Sequence, residues 1–449
     1  MSPPTRRRVW TLSRWGRSPT RPTSWTCRSG REKCGSSGDS ADIRYGIIHS
    51  GRRRPSRVDR AVVKYYLFEA TRNAHLSGPV WVLFLLSRGV SYSGIGLLDA
   101  VFSVTILVAE LPTGYIGDRI GRRRALLIGT AGGAVGSIAF AFGRSLPTLL
   151  LVYVLLAVSQ TFSSGSDSAW LYETLETRLD GDEFARVRGR GRALGLATGG
   201  VAALAGGVLG SVNLAWPWLA SGLVTAIAVP VVATFPEPTG EPGGDQTQLG
   251  AFRSAREQLL GPDLRWFVFY TGVFAAVMGV VNFFVQPVTR DAVAGLSVAG
   301  YSPDGVVVIG AVYAAFSLVS AVVTANAGRV RAAVGTAGWF RLVPPALGAL
   351  LAGVALAPAA AVPLFFVLRA VRSLTEPLQG QYLNDRIPSL GRATTLSAVA
   401  MAHSLIVAPF EIAGGRLADV LGTIETIAVL GVGLLLVGLV WAAAHSDFS

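Results

Sequence analysis

From about residue 61 onward, apolar runs of membrane-spanning length alternate with short polar or glycine-rich breaks. Twelve such runs can be drawn. Six lie at 62–87, 93–117, 124–143, 146–171, 190–211 and 214–235. Six more lie at 264–289, 303–327, 336–357, 361–384, 392–416 and 422–444. A helix rising about 1.5 Å per residue over such lengths crosses the roughly 30 Å hydrocarbon core of a bilayer. The pattern therefore predicts an all-α polytopic membrane protein with twelve transmembrane helices. Between the two sets stands Pro236-Glu237-Pro238-Thr239-Gly240-Glu241-Pro242-Gly243-Gly244-Asp245, a polar Pro/Gly linker that bisects the body. The expected organisation is a six-helix bundle over 58–236, a linker over 237–262 and a second six-helix bundle over 263–449.

One polar break is chemically distinctive. Gly114-Tyr115-Ile116-Gly117-Asp118-Arg119-Ile120-Gly121-Arg122-Arg123-Arg124 joins the second and third segments. It reads as a tight charged hairpin loop whose glycines let two helix ends approach closely. Its arginines hold the loop on the cytoplasmic side. Asp118 can neutralise them or meet the N-terminus of another helix. The spacing resembles the signature of the major facilitator superfamily between its second and third helices. Gly114, Asp118, Arg119, Gly121, Arg122 and Arg123 match every place of that pattern. The resemblance implies two six-helix bundles rocking about a central cavity. It also implies a loop that latches one conformation by binding the opposite bundle, with Glu110 just ahead of it, and embedded acids that bind protons.

Composition supports the membrane reading. The chain is 51% hydrophobic and 15% charged, whereas a soluble protein carries about 25% charged residues. The net charge of +13 is concentrated in residues 1–57, which hold 14 of the 40 basic residues and 3 of the 27 acidic ones. That stretch is rich in Arg, Ser, Pro and Gly and has no apolar run, so it is not a signal peptide. A basic tail on anionic lipid is one reading. A disordered leader, or upstream sequence translated from a misassigned start, is the other. Val58 would then be the start codon. Both cysteines, Cys27 and Cys34, fall in this stretch, so the body has no thiol chemistry.

Arginine placement sets the expected orientation. Arg119, Arg122, Arg123, Arg124, Arg178, Arg186, Arg188, Arg190, Arg192, Arg253, Arg256, Arg265, Arg329, Arg331, Arg386 and Arg392 fall on one side. Only Arg88, Arg144, Arg290 and Arg416 fall on the other. The bias predicts a cell-membrane protein with both termini in the cytoplasm. Internal echoes accompany it. Glu110, Gly114, Asp118 and Gly121 recur at identical spacing as Glu411, Gly415, Asp419 and Gly422. Leu171-Tyr172-Glu173 with Gly191-Arg192-Ala193 is echoed by Gln381-Tyr382-Leu383 with Gly391-Arg392-Ala393. Nested inverted repeats predict such copies at opposite ends. Gly328-Arg329-Val330-Arg331 is a third, degraded copy in which Ala332 replaces the acid.

Ionisable side chains inside a span cost at least a few kcal/mol and mark candidate function. In the first segment Glu69, Arg72 and Asn73 share one face at i, i+3 and i+4, with His75 beyond. They form either an internal ion pair or a substrate or proton site. Asp99 and Glu110 lie three turns apart on the second segment. Asp99 reads as a cavity acid or proton site, and Glu110 as a structural partner of a neighbour's arginine. Asp167 sits in a serine-rich stretch of the fourth. Gly195, Gly199, Gly200, Gly206, Gly207 and Gly210 make the fifth a close-packing helix. The family's antiporters carry a Gly-Pro-x-x-Gly-Gly motif there, and this chain lacks the proline. Asn282 and Gln286, at i and i+4, suit hydrogen bonds to substrate or between helices. Arg369, Arg372 and Glu376 form a stripe on the tenth segment. Its arginines need Glu69, Asp167 or Glu376, or an anionic ligand. Glu411 is the last embedded acid.

The chain shows no phosphate-cradling loop, no metal-ligand spacing and no nucleophile with a base. The expected function is therefore non-enzymatic and needs no cofactor or nucleic acid. The expectation is a monomeric secondary transporter of a small molecule, coupled to protons and working by efflux. Uptake by symport or facilitated diffusion competes with it, as does a non-transporting receptor or assembly subunit.

Overall fold

The computed structural model describes residues 60–164, 166, 170–172, 181–236, 262–295, 302–387 and 392–444. The leader, most of the linker, Asp167, Glu173, Arg178, Arg253, Arg256 and Gly391 lie outside these residues. Every regular element among the described residues is helical. In chain order the first half comprises α1 (Arg60–Asn73), α2 (Trp81–Ser87), α3 (Tyr92–Ile120), α4 (Arg122–Phe142), α5 (Leu146–Ser164), α6 (Gly181–Val212) and α7 (Trp216–Ala233). The second half comprises α8 (Pro262–Val293), α9 (Gly305–Ala325), α10 (Ala327–Val334), α11 (Thr336–Gly353), α12 (Ala361–Arg386), α13 (Arg392–Leu421) and α14 (Thr423–Ala444).

Ten helices among the described residues are long and apolar enough to cross a membrane. They fall on ten of the predicted segments. The other two predicted segments differ. The ninth is the 18-residue α11, which carries Pro344 and Pro345 in its interior. The first is not the continuous helix expected over 62–87. It breaks after Asn73, passes through a 3-10 turn at Gly78–Val80 and restarts as α2. Pro79 contributes to the break, because it lacks the amide hydrogen that a continuous helix would bond to the His75 carbonyl.

The charged hairpin is also more helical than expected. α3 runs to Ile120 and α4 begins at Arg122, so the predicted loop shrinks to the single residue Gly121. Gly121 takes φ 93°, and its amide bonds the Gly117 carbonyl at 3.0 Å. A side chain is strained at that φ, so glycine is the residue that permits so sharp a reversal. Gly422, the echo of Gly121, and Gly335, three residues past Ala332 of the degraded copy, also take positive φ, 96° and 71°. Asp118 and Asp419 thus occupy the last turn of a helix rather than a loop.

Within the first half α4 packs on α5 and α7, α3 on α5, and α1 on α6 and α7. Within the second, α11 packs on α14, α8 on α13, α14 and α9, and α9 on α12. Aromatic stacks rivet the second half, including Phe267 on Tyr382 at 3.9 Å and Tyr270 on Trp441 at 4.9 Å. Two helix pairs make the main junctions between the halves, α3 with α13 and α6 with α9, and α2 meets α8 more lightly. At the second junction the backbones touch. A Cβ on Gly207 would stand 2.8 Å from the Gly310 Cα and 3.0 Å from the Val306 carbonyl oxygen. Small residues are what allow helices to approach so closely in a membrane.

Candidate functional site

Two polar clamps join the halves at the end of the molecule opposite the Gly121 hairpin. In the first, the Asp419 carboxylate accepts hydrogen bonds from the Tyr92 and Ser93 amides, both at 2.9 Å. These amides belong to the first turn of α3, where they have no partner within the helix. A carboxylate there also meets the positive end of the helix dipole. In the second clamp the fully buried Gln286 of α8 enters the break between α1 and α2. Its Oε1 accepts from the Val82 and Leu83 amides at 2.9 and 3.2 Å. Its Nε2 donates to the Gly78 carbonyl at 2.9 Å and contacts the Tyr313 hydroxyl at 3.2 Å. The interrupted helix leaves main-chain groups unbonded, and a side chain from the other half satisfies them. Of the two roles expected for Gln286, the structure shows the interhelix bonds. Asn282, one turn away, is half-buried and has no hydrogen-bond partner among the described residues.

Next to the first clamp lies an acid pair. Glu411 of α13 is 5% exposed, and its Oε2 is buried without a hydrogen-bond partner. Its backbone carbonyl presses against Gly96 of α3. Asp99 of α3 lies within electrostatic range of it, Ser103 stands beside it, and Tyr153 senses both acids. Two carboxyl groups from opposite halves thus face one helix junction.

Asp99 also lines a cavity of about 700 Å³ within the first half, together with Asn73, His75, Trp81, Tyr153, Gln160 and Trp218. Its wall mixes aromatic faces with amides and hydroxyls. His75 stands at the helix break, inside the stretch 62–87 expected to run as one helix. Glu69, Arg72 and Asn73 line a second hollow of about 320 Å³ with Arg188 and Arg192. The Asn73 amide donates to the Glu69 backbone carbonyl at 2.8 Å and to its carboxylate at 3.3 Å.

The stripe on α12 is organised differently from the sequence expectation. Arg369 has no carboxylate partner among the described residues. Its Nε donates to the Ser320 hydroxyl of α9 at 2.9 Å, and the Ser373 hydroxyl donates to the same oxygen at 3.1 Å. Arg372 lies close enough to repel it. Arg372 and Glu376 are exposed and form no ion pair among the described residues, although their i, i+4 spacing puts them on one helix face. The anticipated Arg369 pairings with Glu69 and Glu376 are absent, and Asp167 lies outside the described residues.

At the hairpin end, Asp118 binds Arg122 at 2.7 Å, one turn along the same hairpin. Arg119 stacks over Tyr115 at 4.4 Å, and Arg123 donates to the Phe235 carbonyl at 3.5 Å. Gly114 has nothing within 4 Å of a notional Cβ, so the close approach expected there does not occur; Gly117, with the Ala125 Cβ at 3.5 Å, is the contact point instead. Glu110 has no ion pair among the described residues, so its expected tie to an arginine is not made.

The model of the Major Facilitator Superfamily matches residues 73–408. The chain belongs to the major facilitator superfamily. As a member it is a multi-pass membrane protein of a transporter family. An uncharacterized MFS-type transporter, YxaM of Bacillus subtilis (strain 168), is 26% identical over 201 residues, 43% of this chain and 49% of the relative. The chain thus spans about half the length of the curated relative it matches. The nucleoside transporter NupG superposes with a TM-score of 0.73 at 11% identity, covering 87% of this chain and 99% of that one. The D-xylose-proton symporter gives 0.63 at 13% identity, covering 84% and 95%. These likenesses carry the superfamily fold. Within it, Asp419, Tyr313, Ser320 and Ser373 were missed as site residues. Only Asp419 had a signal, its echo of Asp118.

Proposed function

We propose that the chain is a secondary active transporter that works by alternating access and couples a small-molecule substrate to protons. The observation that carries this reading is the buried Glu411 opposite Asp99 at the α3–α13 junction. An ionised carboxylate without a partner is costly in an apolar interior. Proton binding at this pair therefore favours the state in which the junction is closed, and parting of the helices lets water reach the acids and take the proton. The Asp419 and Gln286 clamps hold the closed end in this state. The Gly121 hairpin, placed on the cytoplasmic side by its arginines, latches the other end in the alternate state.

We take the direction to be efflux by proton antiport from the cytoplasm across the cell membrane, with the protein acting as a monomer. The aromatic wall of Phe68, Trp81, Phe102, Tyr153 and Trp218 supports a substrate with apolar surface. The test is flux in proteoliposomes under an imposed pH gradient, across cationic, neutral and anionic compounds. Gradient-driven exit that falls in Glu411→Gln and Asp99→Asn supports the reading. Flux indifferent to the gradient in wild type removes the proton step, and no flux for any compound leaves a receptor or assembly subunit.

A further inference from the structure

We infer that Arg369 and Arg372 form a binding site for the carboxylate of a small organic anion; this rests on the transport reading and names its substrate class. Three observations converge. First, two cations lie about one turn apart near the middle of α12, within electrostatic range and with no carboxylate bonded to either among the described residues. Such a pair at membrane depth is costly unless an opposite charge arrives.

Second, Arg369 is aimed. Ser320 takes its Nε at 2.9 Å, and the single Ser373 hydroxyl proton is shared between Ser320 at 3.1 Å and the Arg369 carbonyl at 2.9 Å. With Nε engaged, the two terminal nitrogens remain as an end-on fork. That geometry matches the two oxygens of a carboxylate. A hydroxyl neutralises nothing, so it orients the guanidinium and leaves its charge for a ligand.

Third, Arg369 neighbours the junction between the halves. Arg369 feels Tyr313, whose hydroxyl meets Gln286, and Gln286 bonds the first half at Gly78 and Val82. The site therefore sits next to the clamp that closes one end, where a bound anion would bias the equilibrium between states. Glu376, one turn further and without a partner among the described residues, would repel a second anionic group and favour monocarboxylates.

The test uses the purified full chain in nanodiscs with no pH gradient, so its outcome is independent of proton coupling. Benzoate, salicylate, lactate and pyruvate are titrated while thermal stability is read. Benzyl alcohol, benzylamine and inorganic phosphate serve as controls. At least one carboxylate should raise the melting temperature saturably. Arg369→Gln and Arg372→Gln should each weaken that apparent affinity by about tenfold or more, and Arg369→Lys, which keeps charge but loses the fork, by about the same. Ser320→Ala should weaken it less while leaving the unliganded melting temperature close to wild type. Protection by none of the four carboxylates overturns the proposal. So does equal protection by phosphate, or protection that survives in folded Arg369→Lys and Arg372→Gln. Gradient-driven flux that persists for neutral compounds alone would leave the transport reading standing while removing this one.

Discussion

Asp118 and Asp419 are the same residue of a repeated motif, met in two circumstances. Each lies in the last turn of a long helix, and each is followed three residues later by a glycine at positive φ, 93° for Gly121 and 96° for Gly422. The local geometry is therefore shared. The long-range contacts are not. Asp419 reaches across to the Tyr92 and Ser93 amides, whereas Asp118 turns to Arg122 of its own hairpin. The neighbours follow suit. Gly415 presses on the Tyr92 carbonyl while Gly114 faces open space, and Glu411 is buried while Glu110 is only half-buried. The difference teaches that the motif encodes a ready-made helix end, and that the closed junction decides which copy is engaged. If the two copies alternate, breaking one should leave the other's state favoured.

The largest effect is expected from Gln286→Leu, which removes the neutral clamp at the engaged end. It leaves the Val82 and Leu83 amides buried without an acceptor, each costing about 1–3 kcal/mol. The closed state should lose at least about 30-fold in population, by the same figure. Spin labels at Arg144→Cys and Asp291→Cys, with Cys27 and Cys34 replaced by Ser, would report the widening as a longer distance. An unchanged distance distribution would show that Gln286 satisfies the break without holding the halves together.

Steric intrusion comes next. In Gly415→Val the new Cβ meets the Tyr92 backbone and lies 2.9 Å from the Ser93 Cα. Overpacking of this kind costs about 1–3 kcal/mol, so the same labels should show about a 5- to 150-fold shift. Gly114→Val, with empty space around it, should leave the distribution where it is. Equal responses at the two positions would contradict the engaged and disengaged assignment.

Asp419→Asn should act in the same direction but less. The shape stays and one acceptor oxygen remains, while the charge that meets the α3 dipole is lost. That interaction is worth up to about 1 kcal/mol, so opening should rise by about fivefold, and added salt should shrink the gap between wild type and variant. A variant as closed as wild type at low salt would assign the junction to Gly96 and Gly415 packing alone.

How much of this could be read from the chain depends on range. Apolar runs fixed which residues become helical, because a lipid-spanning segment must satisfy its backbone internally. The motif spacing around Gly121 identified the hairpin and its echoes, since both depend on residues within one turn. The break at Ser77-Gly78-Pro79 had a local signal in Pro79, yet the surrounding apolar residues hid it. Contacts between distant residues left no such trace. Asp419 bonds amides more than 320 positions away, and backbone donors look alike in every sequence. For Arg369, charge alone suggested an acid partner; the neighbour is the Ser320 hydroxyl, which one-dimensional spacing along α12 cannot reveal.

The smallest structural effect is expected from Asp118→Asn, and it sharpens the comparison most. Asp118 is exposed here and its ion pair to Arg122 is local; exposed pairs of this kind contribute about 0–1 kcal/mol. The ratio of closed to open at the Asp419 end should therefore move by less than about twofold. Turnover should respond differently, because the cycle passes through the state in which the hairpin end closes. There Asp118 would take the part that Asp419 takes now, a carboxylate on the free amides of a helix start in the other half. Asparagine keeps the shape but loses the charge, so that state is reached less often. Initial flux in proteoliposomes should fall by about fivefold while the apparent substrate constant changes little, the magnitude being that of one charge–dipole contact. If flux stays at the wild-type rate, the hairpin is a rigid turn with basic flanks, and only the Asp419 copy of the motif works as a latch.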